Sequence, residues 1–448
     1  MRHRSLMAAM AAFALSGTAS AETLADAIQT AYLNNPQLEA QRKQTANAEE
    51  QLAQAKSQRK PQISANASYG YESVESTRPF STNLGDRPVS TAQLQASLPL
   101  YTGGRIKAGI NQARAGIGIA NAQLEGASQD LILQVITAYV DVLRDRETVS
   151  IRENSVELLR EQVRASRDRF EVGEVTRTDV AQSEARLEGA RAGLAGAEAQ
   201  LEGTLALYFF LVGADAGDLV AAPIAPLLPP TIEEAMEIAF ERSPDIQASV
   251  FNERAASEGV KVAYGALKPS ISLVTSATQQ ETYENGFRDT NISATAQASI
   301  PLFQGGLVRS QVRSAKLQRD QARLRTDNVE RQIRAQVAQA WYGHVASLKS
   351  IEASERQVEA AEIAYEGAKE ELAVGVRTTL DVLDQEQQLL DARLTLIRSE
   401  RDAFVAVHQL LRSMGSLNLQ RLNLSVQVYD PGEYGDKVKR NWLLTDTE

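Results

Sequence analysis

A chain that repeats itself at near-constant spacing must fold as two copies of one supersecondary unit, and this chain does so along most of its length. Thr23-Leu-Ala-Asp-Ala-Ile opens one half and Thr231-Ile-Glu-Glu-Ala-Met the other, while Pro36 answers Pro244 and Lys60-Pro61 answers Lys268-Pro269, all at a spacing of 208. Beyond a predicted hairpin the spacing drops to 202. Leu98-Pro-Leu-Tyr-x-Gly-Gly104 then matches Ile300-Pro-Leu-Phe-x-Gly-Gly306, Gly173 matches Gly375, Asp179 matches Asp381, and Gly213 matches Gly415. The first hairpin loop is therefore six residues longer than the second. The pattern places a first repeat over 22–213, a linker over 214–230 marked by Pro223, Pro226, Pro229 and Pro230, a second repeat over 231–415 and a C-terminal segment over 416–448.

Each half begins with a capping-box-like start, Thr23-x-x-Asp26 and Thr231-x-x-Glu234. Pro36 and Pro244 suit the first turn of a second helix, which ends near Lys60 and Lys268. The hydrophobic period then changes from 3.6 to 2. Ile63, Ala65, Ala67, Tyr69 and Tyr71 alternate with small polar residues, as do Ala92, Leu94, Ala96, Leu98 and Leu100. Ile271, Leu273 and Ala277 repeat the pattern in the second half, followed by Ile292, Ala294, Ala296, Ala298 and Ile300. Strands are predicted over about 62–75, 91–101, 270–281 and 291–303. At roughly ten residues each they match tilted, bilayer-spanning strands. Tyr69, Tyr71, Tyr101, Tyr283, Phe287 and Phe303 lie near their ends, where an interfacial aromatic belt belongs. A soluble, half-buried hairpin has the same alternation.

The N-terminus favours the membrane reading. Arg2 and Arg4, the apolar run Leu6 to Leu15 and Ala19-Ser20-Ala21 describe a signal peptide over 1–21, cleaved after Ala21. Removing Arg2 and Arg4 takes the formal charge from −10 to −12, an acidic balance that argues against nucleic acid as a partner. There is no cysteine, hence no disulfide and no cysteine-borne lipid. No later apolar run reaches the ~20 residues of a membrane helix, so strands must do any spanning. Four strands cannot close a barrel, and lipid tolerates no open sheet edge. Two chains would give eight strands and a filled interior, whereas three give twelve and begin to leave a pore. A homotrimer is the smallest useful channel.

From Gly104 to about Phe170, and from Gly306 to about Leu372, there is no proline. A continuous helix of about 65 residues would be about 100 Å long. After each glycine turn comes a shorter helix with apolar residues at sevens: Val180, Leu187, Leu194, Leu201 and Tyr208, and then Val382, Leu389, Leu396, Ala403 and Leu410. That repeat specifies left-handed antiparallel coiled-coil seams. Gly189 and Gly193 lie in a charged helix and read as close packing. The fold class is thus mainly α with membrane β: a trimeric 12-stranded β-barrel, four strands per chain, continued by a long α-helical coiled-coil barrel.

Two stretches carry the functional reading, Phe170-Glu-Val-Gly-Glu-Val-Thr-Arg-Thr-Asp-Val180 and Gly375-Val-Arg-Thr-Thr-Leu-Asp-Val-Leu-Asp384. With the repeat, the strand pairs and the long helices, the chain resembles the TolC-type outer-membrane factors through Tyr429-Asp-Pro431 and Trp442. The resemblance implies a homotrimeric exit duct, with its barrel in outer-membrane lipid and its helical tunnel in the periplasm. It is served by a periplasmic adaptor (membrane fusion) protein and an inner-membrane pump or ABC transporter, in efflux or type I secretion. It implies that Asp381 and Asp384 form two periplasmic aspartate rings, that Arg377 ties protomers together through Thr178 and Asp179, and that Gly173 and Gly375 mark adaptor-docking turns. Leu372 stands where the family's gate has a tyrosine. Carboxylates converging on an axis repel one another, which raises some of their pKa values and favours cations. Opening needs only the loss of a few charge-assisted hydrogen bonds and relaxation of the inner coiled coils.

No cofactor and no metal is expected, apart from block by multivalent cations at Asp381 and Asp384. An enzyme is not expected either: outside the signal only His344 and His408 are histidines, and neither has a nucleophile or ligand set nearby. The alternative to a duct is a periplasmic coiled-coil adaptor or scaffold with a soluble β-hairpin domain.

Overall fold

The computed structural model describes residues 22–73, 86–223, 226–282, 287–422 and 429–440. The signal segment, Tyr283, the side chain of Phe287 and Trp442 lie outside the described residues and side chains. The elements run α1 (Leu24–Asn34), α2 (Pro36–Ser57), β1 (Gln62–Ser73), β2 (Asp86–Tyr101), α3 (Arg105–Glu171), α4 (Arg177–Val212), α5 (Ile232–Arg242), α6 (Pro244–Gly265), β3 (Ser270–Thr282), β4 (Phe287–Ser299), α7 (Leu307–Ala373), α8 (Thr379–Ser413) and α9 (Pro431–Arg440). The described residues are mostly helical, with one small sheet. They form two compact units, one of Met1–Pro36, Ser128–Ile232 and Val337–Val426, the other of Gln37–Ala127, Glu233–Gln336 and Gln427–Glu448.

The second of these units holds the sheet, antiparallel in the order β1-β2-β3-β4. Its register carries one face across all four strands. Ala65 pairs with Leu94, Leu94 with Ala277 and Ala277 with Ile292; the adjacent polar row runs Ser64, Gln95, Ser276, Ser293. Ser276 and Ser293 join hydroxyls at 2.9 Å on that polar face. Among the described residues nothing covers the apolar face, with Ile63 70% and Ile292 78% exposed. Two boundaries differ from the sequence expectation: β2 starts at Asp86 rather than near 91, and β4 spans Phe287–Ser299 rather than 291–303. Ser299 pairs with Ser270, the first residue of β3 after Pro269, so the ladder has no partner left to continue it. Pro301 supplies no amide in any case. Phe303 therefore lies in the connection to α7, 89% exposed.

In the first unit, α1 begins with the expected capping box between Thr23 and Asp26. Tyr139 of α3 is fully buried, and its hydroxyl reaches the carbonyls of Glu22 and Val220 at 2.9 and 2.7 Å. Tyr208 of α4 donates to Glu22 Oε1 at 2.7 Å. These bonds pin Glu22 and the segment around Val220 to the long helices. Burial pushes the Tyr139 phenol up to about 12, and the Tyr208 phenol is raised as well, first by burial and then by its bond to Glu22.

The heptad seams are unequally covered. On α8, Val382, Leu389, Ala403 and Leu410 are buried, with Leu396 half-buried. On α4 only Leu187 and Tyr208 are buried, whereas Val180, Leu194 and Leu201 are half-buried. A charge network joins α3, α4 and α8. Arg401 meets Asp141 at 2.7 Å, Arg144 bridges Asp141 and Asp145 at 2.8 and 2.7 Å, and Thr204 donates to Asp145 at 2.6 Å. No helix among the described residues is long and apolar enough to cross a membrane.

Candidate functional site

The turn between α3 and α4 and the turn between α7 and α8 are built alike. At each, a glycine takes the left-handed conformation that ends the long helix, Gly173 at φ 82° and Gly375 at φ 77°. The amide of Gly173 donates to Phe170 O at 3.0 Å and that of Gly375 to Leu372 O at 3.0 Å. A Cβ at either glycine would meet open space, so the backbone conformation alone asks for glycine.

The next helix then starts with a reciprocal cap. Thr176 and Thr378 are N-caps in extended conformation. The Thr176 hydroxyl accepts from the Asp179 amide at 3.3 Å, and Asp179 Oδ2 accepts from the Thr176 amide and hydroxyl, both at 2.8 Å. On α8 the Thr378 hydroxyl accepts from the Asp381 amide at 3.3 Å. Asp381 Oδ2 accepts from the Thr378 amide at 2.9 Å and its hydroxyl at 2.8 Å. Hydrogen bonds that favour the ionised form hold both carboxyls below the ordinary range, the backbone bond to the capping threonine contributing most. For Asp381, then, its own chain works against the upward shift that carboxylate crowding would cause.

The other sequence-predicted residues stand close by. Arg377 donates from Nε to Glu371 Oε2 at 2.5 Å, closing its own turn; its amide and that of Val376 also reach Glu371 O, at 3.4 and 2.9 Å. Thr178 is exposed on the first turn of α4. Asp384 pairs with Arg186 of α4 at 2.5 Å, one link between the two helical hairpins. Both partners are more than two-fifths exposed, so the link is weak, worth about 0.2–1 kcal/mol. Leu372 packs with Val358 and Ala361 onto the cluster of Tyr365, Ala368, Val382 and Leu389. Within the chain its role is apolar packing.

α8 is shared between two apolar clusters. Leu383 joins Val156, Leu159 and Val163 of α3 and Leu187 of α4, while Val382 and Leu389 belong with α7. Arg167 with Glu184 at 2.6 Å ties α3 to α4, and Arg393 with Glu362 at 2.7 Å ties α8 to α7. The capping threonines, Glu371 and Arg186 are the contributors that the motif reading passed over. The T-x-x-D spacing of both caps was visible in the sequence.

Residues 27–211 and 235–416 match the family described as Outer membrane efflux protein. The chain belongs to that family. It is 34% identical over 441 residues to the outer membrane efflux protein BepC of Brucella suis biovar 1 (strain 1330), covering 97% of this chain and 95% of the relative. To the outer membrane protein TolC of Escherichia coli (strain K12) it is 25% identical over 439 residues, covering 94% and 88%. The Campylobacter jejuni CmeC outer membrane channel has the same fold, with a TM-score of 0.79 at 18% identity over 93% of this chain and 88% of that one. The resemblance to TolC-type factors thus holds. The chain is a non-enzymatic outer-membrane protein of a channel family, with its helical domain in the periplasm, and the scaffold alternative is not favoured.

His408 is buried, its Nδ1 2.8 Å from Phe404 O and its ring tilted at 41° against that of Phe404 with centroids 4.6 Å apart, and burial lowers its pKa. His344 is half-buried, and desolvation lowers its pKa too. Among the described residues no cluster of His, Cys, Asp and Glu could hold a metal ion.

Proposed function

We propose that three copies of this chain form the outer-membrane exit duct of a tripartite efflux or type I secretion system, a passive conduit gated at its periplasmic end. The observation that carries this reading is the sheet: four strands with one continuous uncovered apolar face and two unpaired edges, β1 and β4. Such a sheet in an outer-membrane protein is stable when lipid covers the face and other copies cover the edges. Twelve strands from three chains meet both demands. The helical part supports the same count, because Leu317, Leu324, Tyr342, Leu348 and Ile363 of α7 each stand at least half exposed and suit packing against a neighbouring copy. The paired lengths of α3 and α7, 67 residues each, and of α4 and α8, 36 and 35, support the twofold repeat with its linker over 214–230.

In this reading Asp381 and Asp384 from three copies make two rings at the constriction. Arg377 exchanges its partner in its own turn, Glu371, for Thr178 and Asp179 of the next copy when the gate closes. The caps keep Asp381 ionised, which suits attraction of cations. The turns at Gly173 and Gly375 present Val172, Val374 and Val376, each more than 70% exposed, as a docking surface for the periplasmic adaptor, which couples the duct to an inner-membrane pump or ABC transporter. The test is ion selectivity in planar bilayers under a salt gradient. Wild type is expected to be cation-selective and blocked by a trivalent cation, and Asp381→Ala with Asp384→Ala to lose both properties. Unchanged selectivity and block would remove these residues from the pore.

A further inference from the structure

Eleven residues beyond Gly375, at Glu386, where α3 meets α7 and α8, lies a crevice of about 370 Å³. Leu158 of α3, Tyr365 of α7 and Leu389 and Leu390 of α8 give it one apolar side. Four charged side chains line it, Glu362, Glu366, Glu386 and Arg393, and Glu386 is the buried one. Glu386 is only 8% exposed; Ser155 hydrogen-bonds to its carboxyl group, yet Oε1 has no partner among the described residues. The other charged groups at the crevice come from α7 and α8 and are already paired: Glu362 with Arg393 at 2.7 Å, and Glu366 with Lys369 at 3.2 Å. α3 contributes only Ile151, Asn154, Ser155 and Leu158, none of them charged.

Once Glu386 is ionised, one buried negative charge therefore remains uncompensated in a crevice of ligand size with one apolar side. A metal ion would find no set of free hard ligands, since Glu362 and Glu366 are held by Arg393 and Lys369. A neutral apolar molecule would leave the charge unanswered. We infer that this crevice binds a monovalent organic ammonium, whose charged nitrogen pairs with Glu386 while its apolar body lies against Tyr365, Leu158 and Leu389. The site is separate from the aspartates at the turn. Burial pushes the Glu386 carboxyl up to about 7, so the ligand competes with a proton below that pH.

Benzylammonium is a suitable probe, its ring and single positive charge matching the crevice. Its binding to the purified full-length protein in detergent is titrated by saturation-transfer NMR at pH 8, with micelles alone as the blank. Saturable binding is expected, at least tenfold weaker for benzyl alcohol, at least tenfold weaker in Glu386→Gln, and weaker again at pH 5.5 for wild type. Glu359→Gln, which alters an exposed carboxylate of α7 outside the crevice, is expected to leave the affinity within twofold. Helical circular dichroism establishes that each variant is folded. Absence of saturable binding to wild type, equal binding of the alcohol, or equal losses in Glu386→Gln and Glu359→Gln would overturn the proposal.

Discussion

Replacing Glu386 by glutamine should make the protein more stable at neutral pH and abolish part of its pH dependence. The carboxyl is enclosed by three helices, and its pKa rises from 4.5 to about 7 because desolvation penalises the charged form more than the Ser155 hydrogen bond favours it. The folded state therefore holds its proton where the unfolded state has lost it. Stability from this group is complete below pH 4.5, falls as pH rises, and is fully lost above about 7. At about 1.4 kcal/mol per unit the shift corresponds to about 3 kcal/mol per chain; water entering the open side of the crevice reduces this to about 2 kcal/mol. Glutamine keeps the size and loses the charge. Thermal melts followed by helical circular dichroism at one scan rate, from pH 4.5 to 8, should show wild type falling relative to Glu386→Gln by a few degrees across that window and running parallel above it. Parallel curves throughout would refute the argument, since they would mean that the carboxylate is hydrated in the folded protein.

Two other perturbations test the supports of the candidate gate. Thr378→Ala removes the cap that engages Asp381 and should cost about 1 kcal/mol locally, read as faster amide exchange over the first turn of α8; Thr378→Ser should restore protection. Asp141→Ala leaves Arg144 and Arg401 without their shared carboxylate, with all three side chains at most 22% exposed. It should cost about 2–3 kcal/mol, read as a lower midpoint in thermal denaturation, whereas Asp402→Ala, at the exposed end of the same network, should cost under 1 kcal/mol.

Much of the fold could be read in the residues because the signals were local. The proline-free runs gave α3 and α7 to within two residues of their ends, and the period of two gave the sheet its faces. What escaped depended on contacts distant in sequence. The start of β2 at Asp86 is decided by pairing with Ser73 across the hairpin, and the end of β4 by where Pro269 lets β3 begin. At the candidate gate, Arg377 and Glu371 are six residues apart across a left-handed glycine, a spacing no helix-face rule connects. Glu386 has the look of any solvated helix glutamate until three helices close around it. The caps at Thr176 and Thr378 are a different matter: their T-x-x-D spacing is as plain as that of Thr23, but the family resemblance gives Asp179 and Asp381 only a gate role.

Single-channel conductance in planar bilayers, comparing wild type with Arg377→Ser and Glu371→Gln, tests the central claim most directly. A gated duct held shut by Arg377 between copies predicts discrete, low-conductance channels for wild type and a several-fold rise for Arg377→Ser. It predicts no rise for Glu371→Gln, which frees Arg377 for the neighbouring copy. Absence of discrete channels would contradict the duct. Equal conductance in wild type and Arg377→Ser, or a rise in Glu371→Gln matching that of Arg377→Ser, would contradict the gate, because Arg377 would then serve only its own turn.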